Sequence, residues 1–391
     1  MNGDALVKPM RKFWAWTDNP GFKGLLALAF VALFYPACST LKGKAVSASA
    51  PTASNHIEYF RLGWYDSIEN PDSIADITAA GFDYSMPYVG AGNESSILAY
   101  IEVAERHNLD VYLEIPRALV KELGADLADY ARKYADSEAV LGWYLYDEPE
   151  WKLDIGPARL EKVYTVLKDI VPQKPVAIVF MFTALVSPYR RAMDALWFDF
   201  YPIADGQKEF SAFGGGRYAR IVSRIAAKAA SLKKPLTLVL QGFGADVSGK
   251  AQFGRRLPTP AETRYMLYAA LLGRPSSLVY WTYYRSDPDW VATTLAPLVR
   301  EFRQYFPRGI TYETTAGIEI SGGKSESLVL RNDRGHSWLL IVSHEKSSRR
   351  FSITLPAAYR FASGQPENTE IELSPFGTTL LALVPTFTPS P

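Results

Sequence analysis

The feature that most constrains the fold is an alternation of eight short apolar segments with stretches of helical periodicity. The segments cover residues 59–67, 82–90, 109–116, 139–149, 174–182, 194–203, 235–244 and 276–286. A (β/α)8 barrel, or TIM barrel, is built from eight such strand–helix units in roughly 250 residues. An open doubly wound sheet is the alternative, but it usually has fewer strands, and no GxGxxG motif follows the first segment. The sequence therefore predicts an α/β fold with a barrel over residues 57–308.

Beyond Arg308 the hydrophobic period changes to two, the period of a half-buried strand. Segments such as SWLLIVSHE and TEIELSPFGTTLLAL alternate apolar and polar residues, and turn residues separate them without an intervening helical stretch. We therefore expect residues 309–388 to form a small antiparallel β-sandwich that packs on the barrel.

The N-terminal residues 1–38 have the pattern of a targeting segment. Lys and Arg are scattered over residues 1–24, and the apolar run LLALAFVALFYPA ends directly before Cys38. That run is short for a membrane span but suits a signal-peptide core. Cys38 is the only cysteine, so it forms no internal disulfide, and YPAC resembles the lipobox of bacterial lipoproteins. The alternatives are a cleaved secretory signal, an uncleaved anchor, and a cysteine without a functional role. Residues 39–56 are small and polar, which predicts a flexible tether.

The charge balance gives no indication of a strongly charged partner. The chain has 42 Lys and Arg residues against 41 Asp and Glu residues, a formal charge of +1. We therefore expect no nucleic-acid partner and a neutral or weakly charged ligand. No two of the four histidines have ligand spacing on one element, so we expect no metal site. There is no GxSxG nucleophile motif, and we expect no cofactor.

The C-terminal ends of the strands form the working face of a TIM barrel, so polar and aromatic residues there are candidates for function. Aromatic rings stack on the apolar faces of sugars. Carboxyl groups bind the sugar hydroxyls and protonate the glycosidic oxygen. This combination favours a carbohydrate ligand, although each aromatic residue alone could equally be packing. The candidate substrate-binding residues are Asp66, Trp64, Tyr88, Asp147, Tyr201, Gln241 and Trp281.

Three segments resemble parts of glycoside hydrolase barrels. GWYLYDEP is similar to their fourth strand, in which an Asp-Glu-Pro or Asn-Glu-Pro ending presents the acid/base glutamate. LWFDFYPI resembles their sixth strand, and PTPAETRYMLYAALLGRPSSLVYWTYY resembles their last helix and eighth strand. A β-sandwich after the barrel is common among them. The resemblance implies a glycosidase-like fold and marks Glu148 as the proton donor. Retaining members of the largest clan have a nucleophilic glutamate at the end of strand seven, where this chain has Gln241.

The residues around Glu148 suit a general acid. Trp143, Tyr146 and Trp151 would partly desolvate its carboxyl, and Asp147 beside it adds like charge. Both effects raise the pKa of a carboxyl toward neutrality. The structural alternative is that Asp147 and Glu148 bind backbone amides or an arginine at the strand end.

Two residues are candidates for the second catalytic acid. Glu114 ends the third strand, so its carboxylate could lie roughly 5–5.5 Å from that of Glu148, the separation of a retaining mechanism. It could instead form a structural ion pair with Arg117. Asp199 ends the sixth strand, two strands from Glu148, and a gap of about 6.5–9.5 Å would leave room for the water of an inverting mechanism. We expect Asp199 to be the base.

The sequence thus favours a glycoside hydrolase of the cell envelope, lipid-anchored at the periplasmic or extracellular face and acting on a polysaccharide or oligosaccharide. The alternative is a catalytically inactive barrel of glycosidase ancestry that binds carbohydrate or supports an envelope assembly. Gln241 favours the alternative, whereas the acids on strands three, four and six favour the enzyme.

Overall fold

The computed structural model describes residues 55–386 except 91 and 245–253. Eight parallel strands close into a barrel, each strand pairing with its neighbours in chain order and the last pairing with the first. The strands are β2 (Arg61–Ser67), β3 (Tyr84–Tyr88), β4 (Asp110–Glu114), β5 (Val140–Asp147), β6 (Val176–Phe180), β7 (Ala195–Asp199), β8 (Leu236–Gln241) and β9 (Ser277–Trp281). All eight predicted strand segments are confirmed.

Helices cover the outside of the barrel and fill most of the connections between its strands. They are α1 (Ser73–Ala79), α2 (Glu94–Arg106), α3 (Arg117–Glu122), α4 (Ala125–Ala135), α5 (Pro149–Lys152), α6 (Pro157–Ile170), α7 (Arg217–Leu232), α8 (Pro260–Leu271), α9 (Pro288–Trp290) and α10 (Ala296–Tyr305). Helix α8 begins with a capping box, in which the Thr259 hydroxyl accepts from the Glu262 N–H and the Glu262 carboxylate accepts from the Thr259 N–H. Within the described part of the chain, none of the helices has the length and apolar character that a membrane span requires.

Side chains along each barrel strand alternate between the interior of the barrel and the layer beneath the helices. On β2, Tyr65 packs in the interior, whereas Trp64 packs in the outer core against Phe82. Residue 63 is a glycine because the ring of Tyr84 fills the space beside it. A Cβ at Gly63 would lie 2.2 Å from Tyr84 Cζ. The interior core consists of Tyr65, Tyr84, Met86, Tyr144, Ala177, Val179, Ala195, Trp197, Val239 and Val279.

The C-terminal region forms two antiparallel sheets that enclose their own apolar core, which confirms the predicted sandwich. Their strands are β1 (Asn55–Ile57), β10 (Ile310–Glu313), β11 (Glu319–Ser321), β12 (Ser325–Asn332), β13 (Ser337–Ser343), β14 (Arg349–Thr354), β15 (Tyr359–Phe361), β16 (Asn368–Leu373) and β17 (Thr378–Pro385). One sheet has the order β1-β10-β12-β13-β17-β15 and the other the order β11-β14-β16. The outer face of the larger sheet packs on the barrel, with Trp338 against Phe306.

One edge strand of the sandwich, β1, precedes the barrel in the sequence. Strand β1 pairs with β10, so Asn55 lies opposite Tyr312 and His56 opposite Thr311. The last two residues of the predicted tether therefore belong to a sheet. Cys38, the signal segment and the rest of the tether lie outside the described residues and stay predictions.

Candidate active site

Glu148 lies where β5 leaves the barrel, at the start of the short helix α5. Its backbone adopts a left-handed conformation, with φ 50° and ψ 56°. That region is costly for a residue with a Cβ, and such residues persist where the surrounding structure holds them. Pro149 fixes the first turn of α5, and the Glu148 N–H donates to the Val179 carbonyl of β6 at 3.1 Å. The turn therefore holds the Glu148 side chain at the mouth of the barrel, 20% exposed.

Asp199 ends β7, and its carboxyl interacts electrostatically with that of Glu148. Burial and the charge of Asp147 raise the pKa of Glu148. Burial and the charge of Glu148 raise the pKa of Asp199 well above its usual range, and Asp199 is only 6% exposed. Both carboxyls therefore keep a proton to a higher pH than an exposed acid does. We call Glu148 and Asp199 the carboxyl pair.

The gap that we predicted between Glu148 and Asp199, with Asp199 as the base of an inverting mechanism, stays a prediction. Glu148 lies at the turn before α5, and Asp199 lies at the end of β7.

Asp147 connects the carboxyl pair to a cation and to the tyrosines inside the barrel. Its carboxylate forms an ion pair with Lys152 and accepts a hydrogen bond from the Tyr144 hydroxyl at 2.7 Å. The Tyr65 hydroxyl lies 3.4 Å from that of Tyr144. Lys152 Nζ also lies 4.0 Å from Glu148 Oε2. A positive charge is thus available on the side of Glu148 that faces Asp147.

Three of the predicted aromatic residues meet at the mouth of the barrel. Tyr201 and Trp281 stack with ring centroids 5.5 Å apart and an interplanar angle of 27°. Trp281 Nε1 donates to the Tyr88 hydroxyl at 3.1 Å, and Phe243 packs edge-on against Trp281. The rings of Tyr88, Tyr201 and Trp281 pack with the interior core and are partly exposed. We call these three the aromatic wall.

Trp64 and Asp66 do not belong to the site, contrary to the prediction. Both are fully buried on the outer face of β2, so neither reaches the mouth. Asp66 Oδ2 accepts hydrogen bonds from the Ser73 hydroxyl of α1 and from the Tyr100 hydroxyl of α2, at 2.7 Å for Tyr100. The strand alternation therefore directs Tyr65, which lies between them, into the barrel instead. Asp66 fastens two helices to β2.

Glu114 and Gln241 lie at the mouth, but their polar atoms bind the protein's own backbone. Glu114 Oε2 accepts from the N–H groups of Val89, at 2.6 Å, and Gly90, at 3.4 Å. The Gln241 amide accepts from the Ile203 N–H and donates to the carbonyls of Ile203, Phe243 and Arg256, all at 3.0–3.2 Å. Both side chains hold loops, which differs from the substrate contact predicted for Gln241 and the catalytic role considered for Glu114.

The sequence reading missed Glu150, which is the third acid of the DEPE segment. Its side chain is buried, and Oε1 accepts from the N–H groups of Met181, at 2.7 Å, and Phe182, at 3.0 Å. Oε2 is buried without a hydrogen-bond partner. Burial raises the pKa of Glu150 to about 7, and the charge of Glu148 acts in the same direction. Glu150 lies two residues after Glu148 at the first turn of a helix, and this position was the only available signal.

Among the residues that the structure describes, no three or more His, Cys, Asp or Glu side chains are arranged to hold a metal ion. Some carboxylates at the mouth are bound by a lysine, a tyrosine hydroxyl or backbone amides, whereas burial and neighbouring acids raise the pKa of Glu148 and Asp199. What this arrangement can do is transfer a proton in the neighbourhood of partly exposed aromatic residues.

Comparison with known proteins establishes the fold. No family model matches the chain, and no curated protein matches it. Among solved structures, the β-galactosidase from Bacillus circulans sp. alkalophilus is similar over 84% of this chain and 99% of its own, with a TM-score of 0.57 and 8% identity. A family 39 glycoside hydrolase from Bacteroides cellulosilyticus WH2 is similar over 84% of this chain and 81% of its own, with a TM-score of 0.52 and 12% identity.

The β-galactosidase from the psychrophilic Marinomonas ef1 is similar over 63% of this chain, with a TM-score of 0.49 and 11% identity. This chain spans 59% of the length of that enzyme. At these identities the likeness concerns the fold, which is that of glycoside hydrolase barrels and hosts many activities.

Proposed function

We propose that the protein is a glycoside hydrolase in which Glu148 is the general acid. The observation that carries the proposal is the position of Glu148: its carboxyl lies at the mouth of a barrel with a glycosidase-like fold, and burial and the charge of Asp147 raise its pKa. A carboxyl that stays protonated near neutral pH is what protonation of a glycosidic oxygen requires. The left-handed backbone at Glu148 supports the proposal, because strained residues cluster at functional sites.

In the proposed reaction, Glu148 gives its proton to the oxygen of the glycosidic bond as the bond between that oxygen and the anomeric carbon breaks. Water supplies the new hydroxyl on the anomeric carbon, and its remaining proton returns to the carboxyl pair. Lys152, 4.0 Å from Glu148 Oε2, stabilises the negative charge that the pair gains when the proton leaves. Asp147 is 26% exposed and available to bind substrate hydroxyls.

The aromatic wall supports a carbohydrate as the substrate. Tyr88, Tyr201 and Trp281 are partly exposed aromatic residues at the mouth. Such rings bury the apolar face of a sugar, and the hydroxyl of Tyr88 is available to one of its oxygens. A polysaccharide or oligosaccharide is therefore the proposed substrate.

The direct test is a screen of the full chain against a panel of polysaccharides and oligosaccharides for the release of reducing ends. We expect release from at least one glycan, and we expect Glu148→Gln to lower its rate by roughly 10²-fold or more while binding of that glycan persists. Gln keeps the shape of the side chain and removes the transferable proton. Equal rates for the variant and the wild type would remove Glu148 from the mechanism.

One observation favours a second candidate function, a barrel that binds carbohydrate without cleaving it. Gln241 ends β8, and its amide is fully used by the backbone of neighbouring loops. A glycan that binds the wild type, with no release of reducing ends from any member of the panel, would favour this candidate over hydrolysis.

We also propose that the protein is lipid-anchored through Cys38 at the periplasmic or extracellular face of the cell envelope. The YPAC sequence after an apolar run supports this proposal. Cys38→Ser would remove the site of acylation, so the protein should become soluble or stay unprocessed. Unchanged membrane fractionation with an intact N-terminus would contradict lipidation and favour an uncleaved anchor.

A further inference from the structure

The connections after β5 and β6 carry a large share of the exposed apolar side chains. Six large apolar residues are exposed among those that the structure describes, and three of them lie here: Trp151 at 42%, Leu153 at 58% and Leu185 at 40%. Trp151 belongs to α5, Leu153 follows it, and Leu185 ends the turn Thr183–Leu185. Apolar side chains that are exposed together mark binding surfaces, whereas single ones do not. The proposed reaction uses none of the three.

The ring of Trp151 packs beside the ring of Phe182, which follows β6. The two ring centroids lie 6.0 Å apart with an interplanar angle of 50°, and Phe182 is itself partly exposed. The C-terminal ends of parallel strands meet at one end of a barrel, so both residues lie at the same end as Glu148. The Trp151 N–H donates to the Glu148 carbonyl at 3.1 Å. We call Trp151 and Phe182 the rim pair, and it adjoins Glu148.

The helix that carries Trp151 is fixed by contacts on both sides. Glu150 is buried, and its Oε1 accepts from the N–H groups of Met181, at 2.7 Å, and Phe182, at 3.0 Å. Lys152 forms an ion pair with the carboxylate that ends β5. A helix of four residues is not stable alone, so these contacts hold it against the barrel. The ring of Trp151 is therefore exposed on a preorganised support.

A sugar unit fits the rim pair better than a second protein does. One aromatic side chain offers at most about 150–250 Å² of surface. A stable protein interface buries about 800 Å² on each partner, which exceeds what the rings of the rim pair and two leucines provide. A single pyranose ring needs only one apolar face, with polar groups nearby for its hydroxyls. Lys152 and Asp147 supply such groups, each about a quarter exposed.

We propose that the rim pair is a second sugar-binding surface, which takes a unit of the glycan beside the unit that reaches Glu148. This inference rests on the proposed function, because it makes the substrate a chain of several sugars. Glu150 is then a positioning residue: it joins the backbone of Phe182 to the helix of Trp151 and so fixes the two rings relative to each other.

The test measures how affinity grows with the length of the glycan. The probes are cello-, chito-, malto- and xylo-oligosaccharides of two to six units, titrated by calorimetry into the full chain with Glu148→Gln, so that they stay intact. In the series that binds, the gain in affinity from the disaccharide to the hexasaccharide should fall about tenfold when Trp151→Ala is added. Trp151→Phe keeps a ring, so its loss should stay below about threefold.

Leu98→Ala is the matched control. Leu98 is 44% exposed, close to the value for Trp151, but it lies on α2 after β3. This variant should show the same gain in affinity with length as its parent. Equal gains in Trp151→Ala and Leu98→Ala would overturn the inference, because the ring would then add nothing to the binding of the longer glycan.

NMR of the tryptophan indole N–H groups gives a second readout, which decides the matter if Trp151→Ala does not fold. The chain has nine tryptophans, and the Trp151 signal is the one that disappears in Trp151→Phe. It should shift when a hexasaccharide is added. A shift with a glycan that the wild type does not cleave would support the rim pair and contradict hydrolysis. A Trp151 signal that no glycan moves would overturn the inference and favour a protein partner, while turnover of Glu148→Gln still decides the proposed function.

Discussion

The two halves of the barrel mouth carry similar residues but use them differently. Over β2 to β4 and at β8, the polar groups of Asp66, Glu114 and Gln241 are bound by the protein itself. Over β5 and β7, burial and neighbouring acids raise the pKa of Glu148 and of Asp199. An acid at a strand end is therefore weak evidence for catalysis. What distinguishes these two acids from Asp66 and Glu114 is that other carboxyls, and not hydroxyl or backbone donors, are among their main neighbours.

We expect the largest effect on turnover from a substitution in the carboxyl pair. Asp199→Asn removes a buried acid that interacts with Glu148 and whose pKa is raised well above its usual range. We expect kcat/KM to fall by roughly 10²-fold, because the proton that Asp199 holds near Glu148 is lost. Steady-state kinetics on a cleaved glycan measures the loss.

Asp199→Asn should leave the protein folded, because the asparagine side chain has nearly the same size and carries no charge to bury. An Asp199→Asn enzyme with wild-type kcat/KM would show that the interaction between Glu148 and Asp199 is not part of catalysis.

The second prediction concerns Asp66, in the half of the mouth over β2 to β4. Its substitution should lower the stability of the protein without changing turnover. Asp66→Ala leaves the hydroxyls of Ser73 and Tyr100 buried without their shared acceptor. We expect the free energy of unfolding to fall by about 2 kcal/mol. Denaturant unfolding measures the loss, and turnover per folded molecule should stay at the wild-type value. A turnover that falls together with that of Asp199→Asn would place Asp66 in the site and break the distinction between the two halves.

The smallest expected effect compares two tryptophans of equal size. Trp281 belongs to the aromatic wall, whereas Trp64 packs in the outer core with no exposed surface. Trp281→Phe should weaken glycan binding by about 1 kcal/mol, since it loses ring area and the hydrogen bond to Tyr88. Trp64→Phe should leave binding unchanged. Isothermal titration calorimetry with the glycan found in the screen distinguishes them, and equal losses would refute the assignment of Trp281 to the sugar surface.

The sequence predicted the barrel because eight buried segments with helices between them leave few alternatives, and it predicted the sandwich because a period of two is distinctive. It was harder to predict which side chains of each strand point into the barrel. On β2, simple alternation would have separated Tyr65 from Trp64 and Asp66. On β5, a register shift between Tyr144 and Tyr146 puts Tyr146 in the outer core, so counting alternate residues fails there.

The details of the site depend on contacts between distant segments, which residue types do not encode. The electrostatic interaction between Glu148 and Asp199 depends on the turn at Pro149 and on the position of β7 together. The burial of Glu150 requires the end of β6 to fold over it. Gln241 looked like a lost catalytic acid, and only its four backbone hydrogen bonds show that it holds loops.

The central claim is that the reactive carboxyl belongs to the half of the mouth over β5 and β7. It is tested most directly by the turnover of Glu148→Gln and Glu114→Gln on the same glycan, in parallel preparations of the full chain. Both changes are isosteric, and the amide oxygen introduced by Glu114→Gln can still accept the hydrogen bonds from Val89 and Gly90. We predict that Glu114→Gln stays within about threefold of the wild type, while Glu148→Gln loses roughly 10²-fold or more. A Glu148→Gln enzyme that turns over as fast as Glu114→Gln would contradict the account.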